Sequence, residues 1–146
     1  MATRRCISKE IIESDAFLAL SFGARALYCA LVVEADDDGV VGAPRRVVRA
    51  CGCSAKHLED LARARFLLEL DNGVVIIKHW RMMNYIPKDR YKPSAYQDEL
   101  AKVYLKPDRS YTLNKSERTL DEAVRDWVAA GESVAGKLNC DAAPKR

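Results

Sequence analysis

Pro44-Arg45-Arg46-Val47-Val48-Arg49-Ala50-Cys51-Gly52-Cys53-Ser54-Ala55-Lys56-His57-Leu58-Glu59-Asp60-Leu61-Ala62-Arg63 reads as two short helices meeting at a glycine. Proline suits the first turn of a helix because the amide hydrogen it lacks would have no partner there, so the first helix is expected over 44–51, ended by Gly52. Val47, Val48 and Cys51 are its expected inner side. Arg45, Arg46 and Arg49 stand three and four residues apart, which puts three guanidinium groups on the outer side. Ser54 then caps a second helix whose core stripe is Ala55, Leu58, Leu61 and Ala62, with Lys56, Asp60 and Arg63 outside. Two helices joined this way form a helix-turn-helix pattern, in which the second helix can lie in a major groove while the first crosses the backbone.

On the N-terminal side, Ser21 caps a helix predicted over 21–35, with Ala24, Leu27, Leu31 and Ala35 at helical spacing. Tyr28, Cys29, Val32 and Val33 lie off that stripe and give the helix more apolar surface than one small core covers. Two accounts stand side by side: a dimer contact, or coverage by the preceding segment with Ile11, Ile12, Phe17 and Leu18. Asp36-Asp37-Asp38-Gly39 breaks the helix, and Val40-Val41 makes at most a short strand.

On the C-terminal side, Leu67 to Asp71 and Val74 to His79 flank Asn72-Gly73, a strong signal for a hairpin closed by a two-residue turn. That turn sets Asp71 opposite Val74, Leu70 opposite Val75 and Leu68 opposite Ile77. Three helices followed by such a hairpin is the order of a winged helix, with the Asn72-Gly73 tip able to reach phosphates beside the groove. Residues 80–93 are aromatic and basic with two prolines, and predict an ordered, extended arm. Ser94 with Gln97 opens a further helix to about Leu105, and Thr119 with Glu122 forms a capping box for another. Residues 132–146 have no periodicity and read as a flexible tail. The fold class expected is therefore mainly α with a small β-hairpin (α+β). A winged-helix domain spans 1–113, including the arm and the helix after it, and 114–146 form a helical extension and tail.

The 146 residues are 49% hydrophobic and carry a formal net charge of +3, enough for one ordinary domain and compatible with a polyanionic partner. Charge is segregated along the chain. Glu34, Asp36, Asp37 and Asp38 form an acidic run; Arg45, Arg46, Arg49 and Lys56 follow without an intervening acid, and Lys78, Arg81, Lys88, Arg90 and Lys92 are opposed by Asp89 alone. This predicts one positive face. No apolar run is long enough to span a membrane and no signal-type block opens the chain, so a cytoplasmic protein without membrane contact is expected. The five cysteines lack redox or zinc spacing, and Cys51, Cys53 and His57 are three ligands where a closed zinc site takes four, so neither metal nor cofactor is expected. No catalytic constellation is recognisable around His57 or His79, and the chain reads as non-enzymatic.

Several strings carry a family resemblance: Ile7-Ser8-Lys9, Ala35-Asp36-Asp37-Asp38-Gly39, Gly73-Val74-Val75-Ile76-Ile77-Lys78-His79-Trp80 and, most specific, Asn84-Tyr85-Ile86-Pro87-Lys88-Asp89-Arg90-Tyr91-Lys92-Pro93. Over roughly residues 4 to 113 the chain resembles the N-terminal domain of phage replisome organisers, relatives of the DnaD-type primosomal proteins. The resemblance implies a phage- or prophage-encoded winged-helix domain that binds origin DNA, self-associates as a homodimer or higher oligomer, and helps recruit a helicase loader or helicase in the host cytoplasm. Such proteins usually continue into a second helical domain, whereas one helix and a tail follow Leu113 here.

The expected DNA-binding set is Arg45, Arg46, Arg49, Ser54, Lys56, His57, Arg63, Asn72, Gly73, Lys78, Arg81, Lys88, Arg90 and Lys92. Phosphate contact falls to the three arginines of 44–51. Base edges fall to Lys56 and His57, although Glu59 and Asp60 close behind them repel phosphate. In the arm, Lys88, Arg90 and Lys92 interleaved with Tyr85 and Tyr91 suit backbone contact or stacking on single strands, against the plainer account of tyrosines packed on the domain and lysines left in water. A winged-helix transcriptional regulator and a protein–protein adaptor on the same fold are the alternatives to a replication module.

Overall fold

The computed structural model describes residues 3–84, 86–87, 89–115, 117–120 and 122. It is a mixed α and β structure with small antiparallel sheets. Two single-turn helices, α1 (Lys9–Ile12) and α2 (Asp15–Leu18), lead into α3 (Phe22–Glu34). There follow β1 (Val40–Val41), α4 (Pro44–Ala50), α5 (Ala55–Arg63), β2 (Leu67–Glu69) and β3 (Val75–Ile77). A turn of helix, α6 (Trp80–Met83), opens the arm; α7 (Gln97–Leu100), β4 (Tyr104–Leu105), β5 (Tyr111–Thr112) and β6 (Arg118–Thr119) complete the described chain.

Helix ends follow local chemistry. Ser21 accepts from the Ala24 amide at the start of α3, and Pro44 opens α4. At the end of α4 Gly52 takes φ +67°, the Cys53 amide donates to Val48 and the Gly52 amide to Arg49, which satisfies carbonyls the helix leaves free. The end of α5 repeats this arrangement without a glycine: Arg65 holds φ +64° while the Phe66 amide donates to Leu61 and the Arg65 amide to Ala62.

Part of the excess apolar surface of α3 is covered by the segment before it. Phe17 of α2 stands edge-on to Tyr28 and to Phe66, with ring centroids 5.4 and 5.5 Å apart, and Tyr28 and Val32 are fully buried. Cys29 stays half-buried and Val33 exposed. Two inner positions are corrected, because Cys51 and Ala55 lie beside the exposed Gly52 turn and face solvent, which leaves Leu61 as the buried anchor of α5.

The central sheet has the order β1-β3-β2, so β3 has a neighbour on both sides and all three of its residues are buried. The hairpin register differs from the expected one by a residue: Leu67 faces Ile77, Leu68 faces Ile76 and Glu69 faces Val75. Asn72 (φ 60°) and Gly73 (φ 73°) do form the tight left-handed turn, and the Val74 amide bonds back to the Asp71 carbonyl. The Val74 carbonyl, however, accepts from Leu70 rather than Asp71, so two residues oppose one and Asp71 bulges out. The slip puts Leu67 in the core and leaves Glu69 in water.

The aspartates after α3 are not a surface cluster. Asp37 and Asp38 are buried, with Arg5 2.9 Å from Asp37 and Arg81 2.9 Å from Asp38. Asp38 also accepts from the Tyr91 hydroxyl and the Ser94 amide, and Asp36 from the Ser94 hydroxyl and the amides of Asp38 and Val40. Burial raises the Asp36 carboxyl above the ordinary carboxylate range. Trp80 donates its indole N–H to the Asp37 carbonyl, and Tyr111 its hydroxyl to the Asp38 carbonyl. One turn thus fastens the N-terminus, α6, the arm and β5. Gly39 closes it at φ +86°, and a Cβ there would fall 2.4 Å from the Trp80 ring. Gly39→Ala should lower stability by roughly 2–4 kcal/mol, the sum of left-handed strain and overpacking, read as a shift in the urea midpoint at unchanged m-value.

Downstream, the helix expected to about Leu105 stops at Leu100. Tyr104 and Leu105 instead pair with Thr112 and Tyr111 on one side and with Thr119 and Arg118 on the other, an antiparallel sheet of order β5-β4-β6. The burial of Leu100, Val103 and Leu105 is better met by a turn and a strand than by one helical face. The Thr119–Glu122 capping box is present in both directions, at 2.9 and 3.2 Å. The body of the expected helix after it and the tail at 132–146 lie outside the described residues.

Candidate nucleic-acid interface

Arg45, Arg46 and Arg49 are all exposed on α4, while Pro44, Val47 and Val48 of the same helix are buried. Among the described residues no carboxylate lies within 4 Å of these three guanidinium groups or of Lys56, which is exposed in the first turn of α5. Unpaired cations on one helix face are available to an external anion without first breaking an internal bond. Arg46 also lines a groove of about 580 Å³ between α3 and α4, bounded by Val33, Val47 and Tyr96.

The turn between the helices uses its polar groups internally. The Ser54 amide donates to Nδ1 of His57 at 3.1 Å, and the imidazole lies against Gly23, where a Cβ would come within 2.5 Å of it. His57 therefore fastens α5 to α3, contrary to its expected part in reading bases. Ser54 itself is exposed beside Lys56. Arg63 pairs with Asp60 at 3.3 Å, an exposed contact worth little.

The hairpin tip departs from the expected cationic contact. Asn72 donates its side-chain amide to Glu99 at 3.1 Å, and Asp71 is ion-paired with Lys102. With Asp98 also on α7, three acids and one lysine belong to this neighbourhood, so Asn72 and Gly73 sit in negative rather than positive surroundings. The arginine row and the tip do not form a single cationic surface. The acids of α7, far along the chain, are what the local reading of Asn72-Gly73 left out.

Lys78 is half-buried at the other end of the hairpin, where its amide bonds to the Phe66 carbonyl. Burial first, and then repulsion from Lys106 and Arg65, lowers its pKa. Arg65 and Lys106 are thus two basic neighbours the sequence pattern did not single out. Arg65 stands two positions after Arg63, a signal that was legible. Seven residues separate Lys56 from Arg63 on α5, on the order of 10 Å of helix, so the two basic groups lie at opposite ends of that element.

Arg81 must be removed from the set. It is 4% exposed, its guanidinium lies against Asp38, and it stacks 5.8 Å from the Tyr111 ring centroid, because the helical turn of α6 directs it inward. Arg90 and Lys92 are exposed, and the Lys92 amide is held by the Asp37 carboxylate. Tyr91 is the packed member of the arm: its hydroxyl lies 2.8 and 2.9 Å from the two carboxylate oxygens of Asp38, where burial and the neighbouring charge raise its pKa. Lys88 and Tyr85 lie outside the described residues.

No protein-family model, no curated protein and no solved structure matches the chain. No helix among the described residues is long and apolar enough to cross a membrane.

Proposed function

We propose that the chain is a non-catalytic DNA-binding module of the winged-helix type, acting as a replication organiser at a phage or prophage origin. The observation that carries the DNA-binding reading is the row Arg45, Arg46 and Arg49, exposed on α4 with no carboxylate of the described residues within 4 Å. The order α3, β1, α4, α5, β2, β3 with a β1-β3-β2 sheet supports the winged-helix reading. Phosphates along one strand are the natural ligand of such a row, since guanidinium groups form charge-assisted bonds to phosphate oxygens. Lys56 extends the contact across the turn toward the groove, and the tip of the hairpin, being acidic, stays off the backbone.

The replication role, self-association and a helicase loader or helicase as partner rest on the resemblance carried by the arm strings. An adaptor that uses the acidic tip and α7 for protein contact is the second reading, favoured by the Asn72–Glu99 and Asp71–Lys102 bonds.

A salt titration of labelled duplex, single strand and random DNA tests the proposal. Four phosphate-contacting cations predict a slope of log K against log salt of about −3.6, from about −0.9 for each contact on duplex. Absence of binding to every form at low ionic strength would overturn it, and leave the adaptor.

A further inference from the structure

Resting on the DNA-binding reading, we infer that Phe22 and Arg25 form a stacking platform for an unpaired nucleobase, so that this face holds single-stranded or opened DNA beside the helix pair. Phe22 is the most exposed large hydrophobic residue described, at 83%, and it opens α3 in a position where packing asks nothing of it. Its ring contact among the described residues is the Arg25 guanidinium, 4.9 Å from the ring centroid. That guanidinium is held in place, because Nε donates to the Leu20 carbonyl at 2.9 Å. A flat cation fixed on one side of a phenyl ring leaves the other side as a pre-organised surface for a planar ligand.

The location supplies the choice of ligand. Gly23, the next residue, touches the imidazole of His57, and its carbonyl lies 3.4 Å from Sγ of Cys53. The residue after Phe22 thus contacts the α4–α5 turn, whose exposed residues include Ser54 and Lys56. An exposed aromatic backed by a guanidinium suits a base with its phosphate, whereas a protein partner seated there would have to desolvate Arg25. Every base offers a π-face, so the contact is indifferent to sequence; it requires the base to be unpaired.

The test measures binding of the full chain to a labelled oligo-dT and to a duplex of equal length, for wild type, Phe22→Ala and Phe22→Tyr, with sedimentation velocity on each protein. Stacking on one base predicts a roughly tenfold loss of oligo-dT affinity in Phe22→Ala, recovery in Phe22→Tyr, and a salt slope and duplex affinity that stay within about twofold of wild type. At this exposure the alanine variant keeps its fold, which a thermal melt verifies. Unchanged oligo-dT affinity in Phe22→Ala overturns the inference, and a simultaneous change in self-association would reassign Phe22, with half-exposed Leu18, to a protein contact. Wild type that binds no DNA at all removes the underlying reading as well, a distinct pattern of results.

Discussion

Asp38→Ala lowers the unfolding free energy by about 3–5 kcal/mol, the cost of leaving a buried charge without its partner. The carboxylate is 2% exposed and accepts from Arg81, from the Tyr91 hydroxyl and from the Ser94 amide. Removing it takes the ion-pair carboxylate from the buried Arg81 guanidinium and frees the arm at two points, so the loss exceeds that of an ordinary core truncation of similar volume. In thermal unfolding this corresponds to a drop of roughly 10–20 °C in Tm for a domain of this size. Asp38→Asn should lose nearly as much, because an amide presents donors where three donors already converge. The double variant Asp38→Leu with Arg81→Met should recover only the part of the loss that belongs to the ion pair, since the Tyr91 hydroxyl and the Ser94 amide still lack their acceptor. A fall below about 1 kcal/mol in Asp38→Ala would mean that water reaches the cluster.

If the chain binds DNA as proposed, Arg46→Glu with Arg49→Glu should abolish that binding while leaving the fold intact. Each arginine contributes a charge-assisted bond of roughly 1.5–3 kcal/mol, so losing two weakens affinity by roughly a hundredfold or more before the added repulsion is counted. The neutral pair Arg46→Gln with Arg49→Gln isolates the electrostatic part: the salt slope should fall by about 1.8, two contacts at about 0.9 each. Folding is spared because both side chains are exposed, and two acids toward the end of α4 cost about 1 kcal/mol against the helix dipole. Arg90→Glu on the arm serves as the comparison. Affinity retained in the α4 pair and lost in Arg90→Glu would move the contact from α4 to the arm, and retention in both would leave the DNA-binding reading without its basis.

These two forecasts concern charges that look alike in the sequence. Arg46 and Arg81 each follow an apolar or basic neighbour in a short helical stretch, yet one lies in water and the other under Tyr111 and Asp38. Spacing along α4 was enough to assign Arg45, Arg46 and Arg49 to the outer face, because Val47 and Val48 could be nowhere but inside. Nothing comparable constrained Trp80-Arg81-Met82-Met83, where apolar residues surround the arginine on every side.

Local chemistry by itself determined the helix boundaries of 21–35 and 44–51, the start of the next helix at Ser54, the glycine turn at 52, the left-handed Asn72-Gly73 turn and the Thr119–Glu122 box. Each depends on a cap, a proline or a positive φ that acts within about five residues. Tertiary structure alone decided which charges were buried, the one-residue slip that bulges Asp71, the acidic setting of the tip and the strand that replaces the end of α7. The buried charges and the acidic tip depend on residues brought together across 27 to 43 positions of chain, as in Asn72 with Glu99 and Asp38 with Arg81, whereas the bulge and the strand come from nearer pairings that the packing of the core selects. Pairings of that kind minimise the free energy of the whole core, in which a guanidinium matched to a carboxylate is tolerated inside while an identical one without a partner is driven to water.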